Sequence, residues 1–294
     1  MELELWAELS QAICDVALII KRRARDTHFT ALIVRVHLWA ALHDRPTVWA
    51  CEQDNWSNRT KPKLLPDQST MSRRMRRKDF EPFLQRLGER LNGRASQTLV
   101  KRVDGKPLEL PNHTSDRDAG WGRGVSRTSV GYKLHAIWSE NPMPDALAIT
   151  SLNVCEKQMA ARMAKRLGGS GYLLGDGHYD ASWLHDVCGR HGHQLVTPRA
   201  KPGTGLGHHY QSPQRLRSIE MLESPGGVND FGVKLYAQRS AIERDFSGLI
   251  SFGCGLGQLP SWVRRIWRVR NWVLAKLLIN AARLRRCRKR AVGA

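Results

Sequence analysis

Gly171-Tyr172-Leu173-Leu174-Gly175-Asp176 is the stretch on which the fold of this 294-residue chain turns. An apolar run too short for a helix, entered from Gly168-Gly169 and closed by an acid, reads as a buried strand. Before it, residues 156–167 carry a helical pattern that the glycine pair ends. After it, 181–190 reads as a helix and 194–197 as another strand. Strands joined by helices pair in parallel, because a parallel connection needs a crossover. Upstream lie three more strand-like runs: 98–103, closed by Asp104, then 130–138 and 146–152. The Gly-rich polar stretch 112–129 reads as a long hairpin loop and contains no phosphate-loop motif. The order β-β-β-α-β-α-β predicts an α/β fold. It is a mixed five-stranded sheet of three antiparallel strands followed by parallel ones, with helices on both faces.

Around this core the pattern is different. Residues 1–95 read as an all-α region. Leu5, Leu9, Ile13, Val16 and Ile20 recur at helical spacing, and Asp26-Thr27 offers a cap for a following helix with Leu32, Val36 and Leu42. A further helix opens near Asp67, with Ser69, Ser72, Arg73, Arg76 and Arg77 on its polar face. Hydroxyls and arginines at the start of a short helix suit a major groove, as in a helix-turn-helix; an ordinary basic surface helix is the alternative. The α/β stretch is expected to cover 96–294, with an irregular Gly/Pro/His-rich insertion at 200–232, a helix over 234–250 and a basic helix over 261–288.

Composition narrows the partners. The chain has 47 basic residues against 27 acidic ones, a net charge of +20, which favours polyanions. From Trp262 onward there are 11 Lys/Arg and no acid, which suits a DNA backbone. The late apolar segment is broken by Arg264, Arg265, Arg268, Arg270, Lys276 and Arg283, so it is not a membrane span. Six scattered cysteines without a CxxC pair and an acidic amino terminus predict a cytoplasmic protein with free thiols.

Against this basic background three acids stand out. Asp104 and Asp176 each close a strand, and Glu243 lies on a helix one turn beyond Arg239 and two turns beyond Tyr236, so these three share a face. Two strand ends and a helix delivering carboxylates to one place suit a pair of Mg²⁺ ions, for which carboxylate oxygens are the preferred ligands. Asp180 is the alternative to Asp176. The run His185-x2-Cys188-x2-His191-x-His193 superficially resembles a zinc cluster, but residues strung along one helix wrap a tetrahedral ion poorly.

Several segments together resemble the DDE transposases of bacterial insertion sequences. They are Val103-Asp-Gly-Lys-Pro-Leu108, Gly131-Tyr-Lys-Leu-His135, Ala148-Ile-Thr-Ser-Leu-Asn-Val154, Leu174-Gly-Asp-Gly-His-Tyr-Asp180 and Tyr236-x2-Arg239-x3-Glu243. The last is similar to the branch with a tyrosine–arginine–glutamate signature; where that signature continues with lysine, this chain has Ile250. The resemblance implies a ribonuclease-H-like core in which Asp104, Asp176 and Glu243 bind Mg²⁺ (Mn²⁺ as a substitute) while Tyr236 and Arg239 handle DNA phosphates. It also implies cleavage of terminal inverted repeats, joining of the 3′-hydroxyl to target double-stranded DNA, and a homodimer in the DNA complex. Two other readings are a catalytically inactive DNA-binding relative and a ribonuclease-H-like nuclease without strand transfer.

Overall fold

A computed structural model describes residues 2–20, 26–92, 98–111, 114–224, 227–251 and 255–292. In chain order the elements are α1 (Glu2–Ile19), α2 (Thr30–Leu42), α3 (Gln68–Arg74), α4 (Phe80–Asn92), β1 (Val100–Glu109), β2 (Gly120–Arg123), β3 (Thr128–Trp138), β4 (Ala146–Ser151), α5 (Glu156–Ala164), β5 (Gly171–Leu174), α6 (Ser182–Arg190), β6 (His193–Val196), α7 (Pro213–Glu223), α8 (Gly227–Ala237), α9 (Ala241–Ile250) and α10 (Ile266–Val292). Two compact units form, one from 96–247 and the other from 1–95 with 248–294. The expected boundary near residue 95 lies outside the described residues.

The first unit is a mixed α/β layer structure that fits a ribonuclease-H-like core. Its sheet runs β2-β3-β1-β5-β6, and β4 pairs with β3 along the same edge as β2, further along that strand. β1, β3 and β4 are antiparallel, whereas β1, β5 and β6 are parallel. Side chains alternate across the parallel strands as strand geometry requires. Leu173 and Leu195 join Val103, Ile137, Ala160, Met163 and Leu184 in one core, against α5 and α6. Leu174 and Val196 face the other way and pack on Met221 of α7 and Leu235 of α8.

Two sequence expectations fail here. The stretch 112–129 is not all loop, because 120–123 forms β2. With two glycines among its four residues β2 has no apolar alternation to read. Those glycines let it press on the chain beyond β4: a Cβ on Gly122 would lie 2.6 Å from the Leu152 carbonyl oxygen. Among the described residues β2 joins the five expected strands and makes six. Nor is 200–232 irregular throughout, since α7 and much of α8 fall within it. Ser212-Pro213 starts α7: the Ser212 hydroxyl accepts from Gln214 N at 3.2 Å and Arg215 N at 3.4 Å, and proline occupies the first turn.

The second unit contains α1–α4 and α10. The basic helix α10 groups with these helices and not with the sheet: it packs on α1, α2 and α4, and its Val269, Val273, Leu277 and Leu278 are buried. Trp39 stacks on Trp56 at 4.7 Å and meets Trp6 edge-on at 4.7 Å. Lys276 is fully buried, with Nζ 2.6 Å from both the Ala41 carbonyl and Asp44 Oδ1. A buried ammonium requires such partners. Asp26 does not cap α2, which starts at Thr30; its carboxylate lies 3.3 Å from Arg74 and 2.9 Å from Arg77.

Candidate active site

β1 changes partners part-way along. Val100, Lys101 and Arg102 pair with Tyr172, Leu173 and Leu174 of β5, and there the parallel pairing stops, while β1 continues beside β3 to Glu109. Asp104 therefore lies inside β1, not at a strand end as the sequence suggested. Continuing the same register by two residues sets Asp104 opposite Asp176, just past the end of β5. The two acids thus sit at the fork where neighbouring strands part, the place at which a sheet leaves room for a ligand.

Each carboxylate is held locally. Asp104 Oδ1 accepts from Gly105 N at 2.8 Å. Asp176 Oδ1 accepts from His178 N at 2.9 Å, capping the 3-10 turn Gly177–Tyr179. Opposite them α8 and α9 are joined by another 3-10 turn, Gln238–Ser240, which carries Arg239. Its guanidinium lies 3.7 Å from Asp104 Oδ2, 3.7 Å from Asp176 Oδ2 and 3.1 Å from Glu243 Oε1. Three acids from β1, the end of β5 and the first turn of α9 thus converge on one cation.

Burial pushes the Asp104 carboxyl up to about 6, and the negative charges of Asp176 and Glu156 act in the same direction, while the Gly105 N–H and Arg239 oppose them. Burial also raises the Tyr236 phenol, at the end of α8. Among the described residues no three His, Cys, Asp or Glu side chains are already arranged as a metal cage. The donor set nonetheless fits a divalent ion, since three hard oxygen donors already share a single positive charge.

The family profile for the transposase DDE domain matches residues 95–279. The chain belongs to this family. No curated protein and no solved structure matches it.

In this transposase, Glu156 is a fourth acid that the sequence did not single out. It opens α5. Its Oε1 accepts from Lys133 Nζ at 2.6 Å and its Oε2 from the Tyr179 hydroxyl at 3.4 Å. A Cβ on Gly105 would come within 3.1 Å of its carboxyl carbon. Glu156 thus lies directly behind Asp104, with its charge already paired by Lys133. A partner on another element, such as Lys133 of β3, leaves no mark in sequence spacing.

Asp180 is a structural anchor. Its carboxylate accepts two bonds from Arg215, at 2.6 and 2.7 Å, and one from Ala200 N at 2.9 Å. It is 4 % exposed. Although burial opposes ionisation, the Arg215 bonds dominate and hold its carboxyl far below the usual range. That depressed value means a stability contribution present above about pH 4 and lost as the pH falls below it. Asp180→Asn is expected to cost about 3 kcal/mol at pH 7 and about 1 kcal/mol less than that at pH 3, by urea unfolding, since the contribution only begins to fade below pH 4. An equal cost at both values would show that charge is not the cause.

The zinc-like run is explained by packing. His185 is fully buried, with Nε2 3.4 Å from the Thr197 hydroxyl and 3.7 Å from Asp180, and Cys188 lies in the core against β5 and β6. α3 ends at Arg74, so Arg76 and Arg77 follow it in a turn instead of extending its polar face; Arg73 and Arg76 are exposed and Ser72 is half-buried. Arg76 lies 5.3 Å above the Trp267 ring and donates to the Ser72 carbonyl and hydroxyl. Arg77 is tied to Asp26 at 2.9 Å and Asp79 at 3.3 Å. Ile250 is exposed. Among the described residues no helix is long and apolar enough to cross a membrane.

Proposed function

We propose that this transposase cleaves phosphodiester bonds at its element's ends by metal-assisted hydrolysis and joins the freed 3′-hydroxyl to target double-stranded DNA. The observation that carries the reading is the convergence of Asp104, Asp176 and Glu243 on the Arg239 guanidinium. Carboxylates drawn together this way repel one another unless a cation lies among them.

Asp104, Asp176 and Glu243 would hold the divalent ions, Mg²⁺ with Mn²⁺ as a substitute. When bound, the ions supply Lewis-acid stabilisation of phosphoryl oxygens and lower the pKa of a bound water. The chain's own groups do the rest. Burial of Asp104 strengthens each electrostatic contact it makes, because less water screens it. Arg239, 21 % exposed and flanked by the acids, is placed to donate to a phosphate oxygen once the carboxylates have another cation. Tyr236, three residues earlier and half-buried, offers a hydroxyl to the same strand. Glu156 is engaged by Lys133, so it does not compete as a ligand.

The Tyr-x2-Arg-x3-Glu spacing supports the signature branch. The helices of 1–95 are proposed as a helix-turn-helix-like end-binding region, with Ser72, Arg73, Arg76 and Arg77 as its contacts. Of these, Arg73 and Arg76 are the stronger, because two aspartates already neutralise Arg77. A homodimer that synapses two ends completes the scheme. The test is incubation with Mg²⁺, a labelled DNA carrying the element's terminal repeats, and a target plasmid. The expected products are nicked ends and end–plasmid joints. Nicks without joints would leave a nuclease only, and binding without nicks an inactive relative.

A further inference from the structure

The hairpin of β2 and β3 is built to present one face outward. Gly120 and Gly122 lie flat on the chain at 152–153, where a Cβ would come within 2.5 Å of Asn153 Oδ1 and 2.6 Å of the Leu152 carbonyl. The alternate residues Trp121 and Arg123 therefore project away from the fold, and the turn adds Val125 and Arg127. Trp121 is 59 % exposed and Val125 76 %, large values for apolar side chains held on an ordered strand and turn. From 114 to 128 the exposed charged residues are Arg117, Arg123 and Arg127, whereas Asp116 and Asp118 are half-buried.

The turn is braced from inside the sheet. Gly124 N donates to the Arg127 carbonyl at 2.9 Å. Glu109 Oε1 accepts from Val125 N at 2.6 Å and from the Ser129 hydroxyl at 3.1 Å. Gly124 makes room for that carboxylate, since a Cβ there would sit 1.9 Å from the same oxygen. Glu109 ends β1, the strand that also holds Asp104. Asp104 pairs with Ala136, and Arg123 with Thr128, eight positions further back on β3. At about 3.3 Å per residue, less some twist, the tip lies roughly 25 Å from Asp104.

We propose that this hairpin is a second DNA contact, in which Arg123 and Arg127 bind backbone phosphates and Trp121 stacks on a base or sugar. On straight B-form DNA, ~25 Å corresponds to about seven base pairs from the phosphate at the acids. The inference rests on DNA being this transposase's substrate and not on which acids catalyse. A second copy of the chain is the rival occupant, but exposed cations without exposed acids complement a polyanion and repel their own copy.

The test measures binding of a 30-bp duplex of arbitrary sequence by fluorescence anisotropy, in EDTA so that no cleavage intervenes, over a range of KCl concentrations. Arg123→Gln with Arg127→Gln is expected to weaken binding about tenfold and lower the salt slope by about 2, one unit per lost phosphate contact. Trp121→Ala should weaken binding about fivefold at unchanged slope, as a stacking contact does. These exposed changes should leave the thermal midpoint unaltered, and Arg127→Gln alone, with half the slope change, serves if a combined variant unfolds. Unchanged affinity and slope in all variants would overturn the proposal. So would a change in sedimentation without DNA together with unaltered DNA binding, which would assign the hairpin to self-association. On a duplex carrying the element's terminal repeat, an iron chelate tethered at Ser126→Cys, with the exposed Cys14, Cys155 and Cys287 changed to Ser, should cut about seven base pairs from the Mg²⁺-dependent nick; cuts centred on the nick would refute the spacing. If acid variants keep cleaving while the hairpin variants still bind weakly, the catalytic assignment fails and the hairpin assignment stands.

Discussion

Asp104→Asn, Asp176→Asn and Glu243→Gln are each expected to lower Mg²⁺-dependent strand cleavage by roughly 10³-fold or more, while duplex binding in EDTA changes little. A lost ligand oxygen removes several kcal/mol of charge stabilisation from the transition state, and each 1.36 kcal/mol is a factor of ten. Metal affinity should fall in parallel, read by Mn²⁺ titration without DNA. In the parent protein that affinity should rise with pH through about 6, because the Asp104 carboxyl must lose its proton to become a ligand. Stability should move in the opposite sense. A carboxyl raised by burial favours the folded state below its ordinary value near 4, and that advantage is lost as the pH rises through about 6. Asp104→Asn should therefore make the metal-free protein more stable than the parent at pH 7.5, by about 2 kcal/mol. Any one of the three variants retaining full cleavage would remove that acid from the reaction.

Arg239→Gln should tighten Mn²⁺ binding to the DNA-free protein about tenfold and weaken duplex binding in the presence of metal. The guanidinium contacts the same three carboxylates that a divalent ion would need, so ion and arginine compete. Its Nε–H, moreover, is buried with no acceptor among the described residues. An arginine so placed is incompletely satisfied and gains by moving to a phosphate. Arg239→Lys should fall between parent and Gln in metal affinity, since it keeps the charge without the fork that spans three acids. Weaker Mn²⁺ binding in Arg239→Gln would mean that the arginine props the acids in place, and the competition would be excluded.

Where the sequence was readable, the reason is periodicity. The apolar runs at 130–138, 146–152, 171–175 and 194–197 appear as β3, β4, β5 and β6 within a residue or two, because buried strands must be apolar and bounded by breakers. The helices 156–167 and 181–190 appear as α5 and α6, trimmed at their ends. β2 escaped because Gly120 and Gly122 are chosen for close backbone approach, which leaves no alternation. α7 escaped although Ser212-Pro213 is a recognisable start, because the Gly-, His- and Pro-rich run before it dominates the composition.

The sequence by itself determined the alternation of strands and helices from β3 to β6 and the strongly basic character, and it singled out three acids with an arginine and a tyrosine as candidates, because periodicity and local spacing are local properties. Only the tertiary structure decided that Asp104 lies at a fork inside β1, that Asp180 anchors Arg215 while Asp176 faces Arg239, and that Glu156 lies behind the site paired to Lys133. Those outcomes depend on which strand lies beside which and where their pairing ends. Such contacts join residues tens of positions apart, and no local pattern encodes them.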